Sequence, residues 1–198
     1  MKRKLLLSIL AVVPAALIPL AAIGQIAPER TPVQSTEPTY KYEAFAGWGY
    51  TSINQVNQSR SGLQGFSLSL TRDWGKYFGL AVEGGHYAWV VTQSNVGNPT
   101  VDLYLAGPAA HAPLFGKTSL LVHGLIGAAH TGGVSISPDV SLAGGFGMGA
   151  DYSLTPRLAL RLYGDDIASS FTITPYQSGY SPHMRWNARA SFGVVYKF

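Results

Sequence analysis

Apolar side chains alternate with polar or small ones at the C-terminal end of the chain. In residues 185–198, RWNARASFGVVYKF, the apolar positions are Trp186, Ala188, Ala190, Phe192, Val194, Tyr196 and Phe198. Successive side chains of a strand point to opposite faces, so this period of two predicts a strand with one apolar face. Free termini are usually polar and frayed, so an aromatic final residue in this register predicts a terminus that is held in place.

The same alternation recurs from residue 40 onward and gives eight segments in all. The apolar positions of the first seven begin at Tyr42, Phe66, Phe78, Val101, Leu120, Leu142 and Leu158. No segment has a convincing helical period. The pattern therefore predicts an all-β protein.

Two segments need a specific choice of register. In the third, we predict a β-bulge at Gly84-Gly85 that moves Tyr87 and Trp89 onto the apolar face. In the fourth, the apolar face is predicted to carry Val101, Leu103 and Leu105, and the opposite face Asp102, Tyr104 and Ala106.

The connections between the segments alternate in length. Longer polar stretches follow segments one, three, five and seven: SINQVNQSR, TQSNVGNPT, HTGGVSISP and SFTITPYQSGYSPH. Shorter ones follow segments two, four and six: GKY, AHAPLFGK and LTPR. Short turns at one rim and long loops at the other are typical of membrane barrels. We predict that residues 40–198 form an eight-stranded antiparallel up-and-down transmembrane β-barrel.

Two kinds of eight-stranded barrel fit this alternation. Soluble barrels place large apolar side chains inside, whereas the positions between the apolar ones here are mostly Gly, Ser, Ala and a few charges. These suit the narrow polar interior of a small membrane barrel, so the apolar face is predicted to contact lipid. Aromatic residues near the strand ends form the two expected girdles: Trp74, Tyr77, Phe78, Tyr152, Tyr196 and Phe198 at the short turns, and Trp48, Tyr50, Trp89, Phe171 and Trp186 at the long loops.

The N-terminal 24 residues have the order of a secretory signal peptide. A basic start is followed by a long apolar stretch, and the small residues Ala22 and Gly24 precede a predicted cleavage site before Gln25. The alternative is an uncleaved anchor helix, which Pro14 and Pro19 disfavour. Residues 25–39 contain three prolines and no apolar period, so they are predicted to be a flexible periplasmic leader.

The charge of the chain limits the kinds of partner that it is expected to bind. Only 12% of residues are charged, and the formal net charge is +4. Lys2, Arg3 and Lys4 supply most of that excess, which leaves the predicted barrel nearly neutral. A neutral domain argues against nucleic acid as a partner.

The terminal GVVYKF, with aromatic or apolar residues at every second position back from Phe198, resembles the closing strand of bacterial outer-membrane barrels. The stretch 40–198 is similar to the OmpA-like eight-stranded type, without a peptidoglycan-binding domain. This resemblance implies an outer-membrane location, lipid and lipopolysaccharide as surroundings, and an assembly signal at Phe192, Tyr196 and Phe198 that the barrel-assembly machinery reads. It names no surface ligand.

Six charged residues share the predicted inward register: Glu43, Glu83, Asp102, Asp151, Arg161 and Arg189. Unpaired charges in a narrow and partly dry lumen are costly, so we predict a structural network of ion pairs and hydrogen bonds among them. The sequence does not define which acid meets which arginine.

Candidate cofactor and metal sites have simpler explanations. The stretch GGFGMG does not open a helix, so its glycines are predicted to be inward small residues of a strand instead of a dinucleotide loop. None of the five histidines has a ligand spacing with a partner on the same face, so no metal is predicted. His123 is predicted to make hydrogen bonds in the interior.

The sequence also contains no pattern that indicates catalytic residues. Asp165 and Asp166 are adjacent, so they face opposite sides of a strand and cannot act jointly. Some small outer-membrane barrels deacylate lipid A with His and Ser two positions apart, and the chain contains no H-x-S. We predict a non-catalytic barrel, either a structural component or a surface-loop binding module. A narrow channel and a lipid A-modifying enzyme are the alternatives.

Overall fold

The computed structural model describes residues 40–55, 60–91, 97–170, 172–175 and 184–198. The predicted signal peptide, residues 1–24, and leader, residues 25–39, lie outside the described residues, as does Phe171. The described part of the chain contains no helix long and apolar enough to cross a membrane.

Eight strands follow one another along the chain. They are β1 (Tyr42–Asn54), β2 (Arg60–Trp74), β3 (Phe78–Val90), β4 (Asn98–Pro113), β5 (Thr118–Val134), β6 (Asp139–Ser153), β7 (Leu158–Ser169) and β8 (Arg185–Lys197). Each strand pairs antiparallel with the next, and β8 pairs with β1, so the sheet closes on itself. The predicted eight-stranded antiparallel barrel is confirmed.

The chain ends are fixed where β1 meets β8. The backbone N–H groups of Lys41 and Tyr42 donate to the carbonyl oxygen of Phe198 at 3.2 and 3.0 Å. The Phe198 N–H in turn donates to the Tyr42 carbonyl at 2.9 Å, and the two rings stack with centroids 5.7 Å apart. These bonds complete the ladder at the seam, so no edge strand remains there.

The two rims differ less than the sequence predicts. The three short connections span residues 75–77, 114–117 and 154–157, and we call their rim the short-turn end. At the other rim, the long-loop end, the connections span residues 55–59, 91–97, 135–138 and 170–184. The third of these was predicted to be long, but β5 extends through the first five residues of HTGGVSISP, to Val134, and pairs there with β4.

The predicted bulge is misplaced. Tyr87 pairs with Gly65 and Trp89 with Gln64, so the irregularity lies around Ala88 and not at Gly84-Gly85. Tyr87 is therefore fully buried inside the barrel, while Trp89 is exposed outside it. Only Trp89 lies on the apolar outer face.

The fourth strand has the opposite register from the prediction. Val101, Leu103 and Leu105 are buried, whereas Tyr104 is 63% exposed on the outside. In this strand both faces contain large apolar residues, so alternation alone does not identify the inner one.

The interior contains a large apolar cluster that the sequence did not predict. Its members are buried side chains that include Ile53, Leu63, Tyr87, Val101, Leu103, Leu105, Leu121, Leu125, Ile167 and Ile173. Many come from strand segments next to the long-loop end. The interior is therefore part apolar and part charged, where a generally polar one was expected.

Candidate functional site

A cluster of charged side chains fills the interior near the short-turn end. We call it the short-turn cluster: Glu43, Asp151, Arg161, Lys197 and His111. The Arg161 guanidinium donates to both carboxylate oxygens of Asp151 and to Glu43 Oε2, each at 2.7 Å. Lys197 Nζ lies 3.1 Å from the second Glu43 oxygen. Two carboxylates thus face two cations, which offsets much of the cost of burying them.

A second group, the central cluster, lies further along the barrel: Glu83, His123, Asp165 and Arg189. Arg189 donates to Asp165 Oδ2 at 2.6 Å and also binds Glu83. The other Asp165 oxygen lies 2.5 Å from His123 Nε2. All four residues are buried. The strands β3, β5, β7 and β8 are linked across the barrel by these contacts.

Aromatic rings accompany the two clusters. Tyr163 packs edge-on against Phe45 with ring centroids 5.4 Å apart. Arg189 lies 5.5 Å from the Tyr163 ring centroid, and Arg161 lies 5.9 Å from that of Phe45. Rings placed against guanidinium groups give these cations apolar and cation–π contacts in place of water.

Gly147 makes room for the central cluster. A Cβ atom at this position would clash with Asp165 Oδ1 and His123 Nε2. The glycine-rich strand β6 was predicted to be an inward small-residue strand, and here the absence of a side chain lets a carboxylate and an imidazole meet.

Of the six charged residues predicted to form the lumen network, five lie in these clusters: Glu43, Glu83, Asp151, Arg161 and Arg189. Asp102 does not, because β4 has the opposite register. Its side chain lies on the outer face between two histidines, 2.6 Å from His86 Nδ1 and 3.3 Å from His130 Nδ1. The inward position predicted for Asp102 is wrong.

The three outer residues occupy one row across neighbouring strands. His86 is paired with Asp102, and Asp102 with His130, in the sheet register. We call them the outer polar row. The hydrogen bonds described for these two imidazoles are with the Asp102 carboxylate, and none is with a described Ser or Thr hydroxyl.

One set of possible metal ligands lies inside the barrel. Ligand atoms of Glu43, His111 and Asp151 lie within 4.8 Å of one another. Arg161 already binds both carboxylates, and a divalent cation there would have to displace this buried guanidinium. The arrangement therefore favours an ion-pair network, and we assign no metal to it.

Buried side chains fill the described interior around the central cluster and next to the long-loop end. The gap between Leu105, His123 and Arg189 is too small to hold a water molecule. At the long-loop end, residues 172–175 fold over the mouth, where Ile173 N–H donates to the Asn54 carbonyl at 3.0 Å and its side chain is fully buried. An eight-stranded barrel is just wide enough for such filling.

The outer face is apolar along much of its length. Exposed large apolar residues include Leu68, Leu70, Leu80, Val82, Ile126, Leu142, Met148, Leu162, Phe192 and Val194. Aromatic side chains lie near both ends, with Trp74, Tyr77, Phe78, Tyr152, Tyr196 and Phe198 by the short turns and Trp48, Tyr50, Trp89 and Trp186 toward the long loops. The residues of the predicted assembly signal, Phe192, Tyr196 and Phe198, all face outward.

Comparisons with known proteins agree with this architecture. Neisserial surface protein A superposes with a TM-score of 0.62 at 13% identity, covering 79% of this chain and 97% of that one. Ail, the attachment invasion locus protein of Yersinia pestis, gives a TM-score of 0.55 at 12% identity, covering 81% and 100%. The chain has the fold of small outer-membrane barrels. No family model and no curated protein sequence matches it.

Within this outer-membrane barrel fold, the contacts of the histidines are what sequence reasoning missed. His86 and His130 contact Asp102, His123 contacts Asp165, and His111 Nε2 lies 3.8 Å from Glu43. Each partner is on another strand, so spacing along one strand gave no signal. The fifth histidine, His183, lies outside the described residues. For His123, the predicted interior hydrogen bond is present.

Proposed function

We propose that this protein is a non-catalytic outer-membrane β-barrel that serves as a rigid frame for surface loops, as a structural component or a binding module. The observation that carries the proposal is the combination of an apolar outer face with a filled interior. An apolar outside suits lipid, and an eight-stranded barrel is just wide enough for side chains to fill it, so it should not conduct solutes well.

The outer surface supports a membrane position for the strands. A closed barrel pairs its backbone groups between neighbouring strands, as a hydrocarbon environment requires. The aromatic girdles suit the two interfaces of the bilayer. The outer polar row, His86, Asp102 and His130, fits the interface at the long-loop end, because ionisable groups are costly at the bilayer centre.

The proposal also includes a route of export and membrane assembly. Residues 1–24 would direct the chain across the inner membrane and be removed before Gln25. The barrel-assembly machinery would then read Phe192, Tyr196 and Phe198 during insertion. Outer-membrane lipid and lipopolysaccharide would surround the exposed apolar side chains.

The long-loop end is the part of the molecule best suited to recognition, since polar loops on a rigid barrel can vary without loss of the fold. Neisserial surface protein A and Ail are, by name, a surface protein and an attachment protein. Ail has also been crystallised with a heparin analogue, sucrose octasulfate. Here Arg60 and Arg185 are balanced by Asp139 and Asp166 at the same end, so a sulfated ligand has no special support.

Fractionation of cells that express the full chain tests the membrane position. We expect the protein in the outer membrane, and we expect unboiled and boiled samples to migrate differently on a gel because the closed barrel resists detergent. A matched pair of variants sharpens this test. Phe192→Arg should lose the folded band, whereas Asp166→Asn, on an exposed polar position, should keep it. Recovery of wild-type protein in the soluble fraction would contradict the proposal.

Two measurements separate the alternatives. In planar bilayers the purified barrel should give no stable, reproducible openings, and such openings would favour a narrow channel. Mass spectra of lipid A from cells with and without the protein should be identical. A change in the acyl pattern would favour a lipid A-modifying enzyme.

A further inference from the structure

Exposed basic residues gather at the short-turn end of the barrel. We call this set the basic rim: Lys41, Arg72, Lys76, Lys117 and Arg157, all of which are exposed. Lys41 lies at the seam between β1 and β8, and Arg72 near the end of β2. Lys76, Lys117 and Arg157 belong to the three short turns. The cations are therefore distributed around the rim.

No exposed acidic side chain balances them within the described residues. Glu43 and Asp151 are buried and already bound by Arg161. Asp73 is partly buried and lies on the inward register of β2. The exposed acid of the described part, Asp166, lies in the half of β7 next to the long loops. The barrel surface is thus electrically polarised along its axis.

Aromatic rings hold three of these cations close to the apolar band. Arg72 lies 5.8 Å from the Trp74 ring centroid and Lys76 lies 5.5 Å from that of Tyr77. Arg157 lies 6.0 Å from the Tyr40 ring centroid. Because such rings settle at the membrane interface, the cations are held at the depth of lipid headgroups.

We propose that the basic rim binds the phosphate groups of anionic phospholipids, of the phosphatidylglycerol class, in the leaflet around the short-turn end. The proposal rests on the membrane position argued above. Cations near an anionic membrane surface each strengthen binding, and five spread around one rim can contact several lipids at once. The balanced charges of the long-loop end give no comparable attraction.

Lipid selection in nanodiscs tests this. The full-length mature protein is reconstituted in phosphatidylcholine discs that contain a minor fraction of phosphatidylglycerol, and the lipid retained by the barrel is quantified by native mass spectrometry. We expect phosphatidylglycerol to be enriched on the wild type. The variant Arg72→Gln/Lys76→Gln/Arg157→Gln should lower its apparent affinity at least about fivefold. The control Arg60→Gln/Arg185→Gln removes cations from the other end and should leave enrichment unchanged.

The outcomes separate the two proposals. Wild-type protein that does not insert into the discs as a heat-modifiable barrel overturns the membrane position, and this inference with it. A barrel that inserts normally but shows no enrichment overturns the inference alone, as does equal enrichment on the basic-rim variant. Equal loss on the control variant would also overturn the inference, because the effect would then follow net charge and not the basic rim. Loss of enrichment at high salt is expected in every supporting result, because salt screens exposed charges.

Discussion

The charged clusters and the apolar cluster fill one barrel by different means. Around Arg161 and Arg189, each guanidinium bridges two carboxylates on other strands, so the contacts are directional. Around Leu103 and Ile167, shape alone determines the packing. A buried charge that loses its partner is strongly destabilising, whereas a lost methyl group costs only transfer and cavity energy. The two regions should therefore respond differently to substitution.

The largest effect is expected at the centre of the charged region. Arg189→Met leaves Glu83 and Asp165 buried without their shared cation and should lower the free energy of unfolding by about 3–5 kcal/mol. Tryptophan fluorescence during urea unfolding in lipid vesicles measures it. The triple variant Glu83→Gln/Asp165→Asn/Arg189→Met removes all three charges and should recover much of the loss. A triple variant as unstable as the single one would contradict the ion-pair account.

The apolar cluster should show a cavity response. Leu103→Ala is expected to cost about 2–5 kcal/mol, because a buried side chain is removed and its neighbours cannot fully close the gap. Leu142→Ala, on the exposed outer face, is the matched control and should cost clearly less in the same assay. Equal losses would mean that Leu103 does not pack inside the barrel.

Crowding at the central cluster should give the third-largest loss of stability. Gly147→Ala places a Cβ atom against Asp165 and His123 and should destabilise by about 1–3 kcal/mol. Gly164→Ala adds the same group on the outer face, where the nearest atom is an ordinary contact at 3.6 Å. Its unfolding midpoint should stay near that of the wild type. If Gly147→Ala does not lower the stability, the side chains of the central cluster are packed less tightly around Gly147 than the structure shows.

The smallest effect is expected at the outer polar row. Asp102→Asn should change the free energy of unfolding by about 1 kcal/mol or less, since its contacts are with partly exposed histidines. Asp151→Asn, at a fully buried carboxylate bound by Arg161, should cost considerably more. Similar losses of stability for the two variants would indicate that the Asp102 side chain lies inside the barrel.

The strand count, the closure and most faces follow from the sequence, because a period of two is visible wherever the two faces differ in chemistry. The outward set of β8 is an example, with Phe192 and Val194 between Ser191 and Gly193. The period fails in β4, where Leu103 faces inward and Tyr104 outward. Both side chains are large and apolar, so composition predicts the wrong inner face for β4. The same error places Asp102 inside the barrel.

The pairing of the clusters could not be predicted, because it depends on the relative shift of strands. Arg161 reaches Glu43 across the barrel although the two residues are 118 positions apart. Residues 172–175 likewise reach the mouth through a connection whose sequence predicts only a loop. Local pattern determines which way a side chain points, and the register of the closed sheet determines what it meets.

Thiol labelling from the lipid phase tests the central claim most directly, since the chain contains no cysteine of its own. Phe192→Cys and Ser191→Cys place one thiol on each face of β8 at nearly the same depth. With the barrel in vesicles, a membrane-soluble thiol reagent should modify Cys at 192 rapidly and leave Cys at 191 unmodified until the protein is unfolded. Rapid modification at 191 with protection at 192 would show that the faces are reversed.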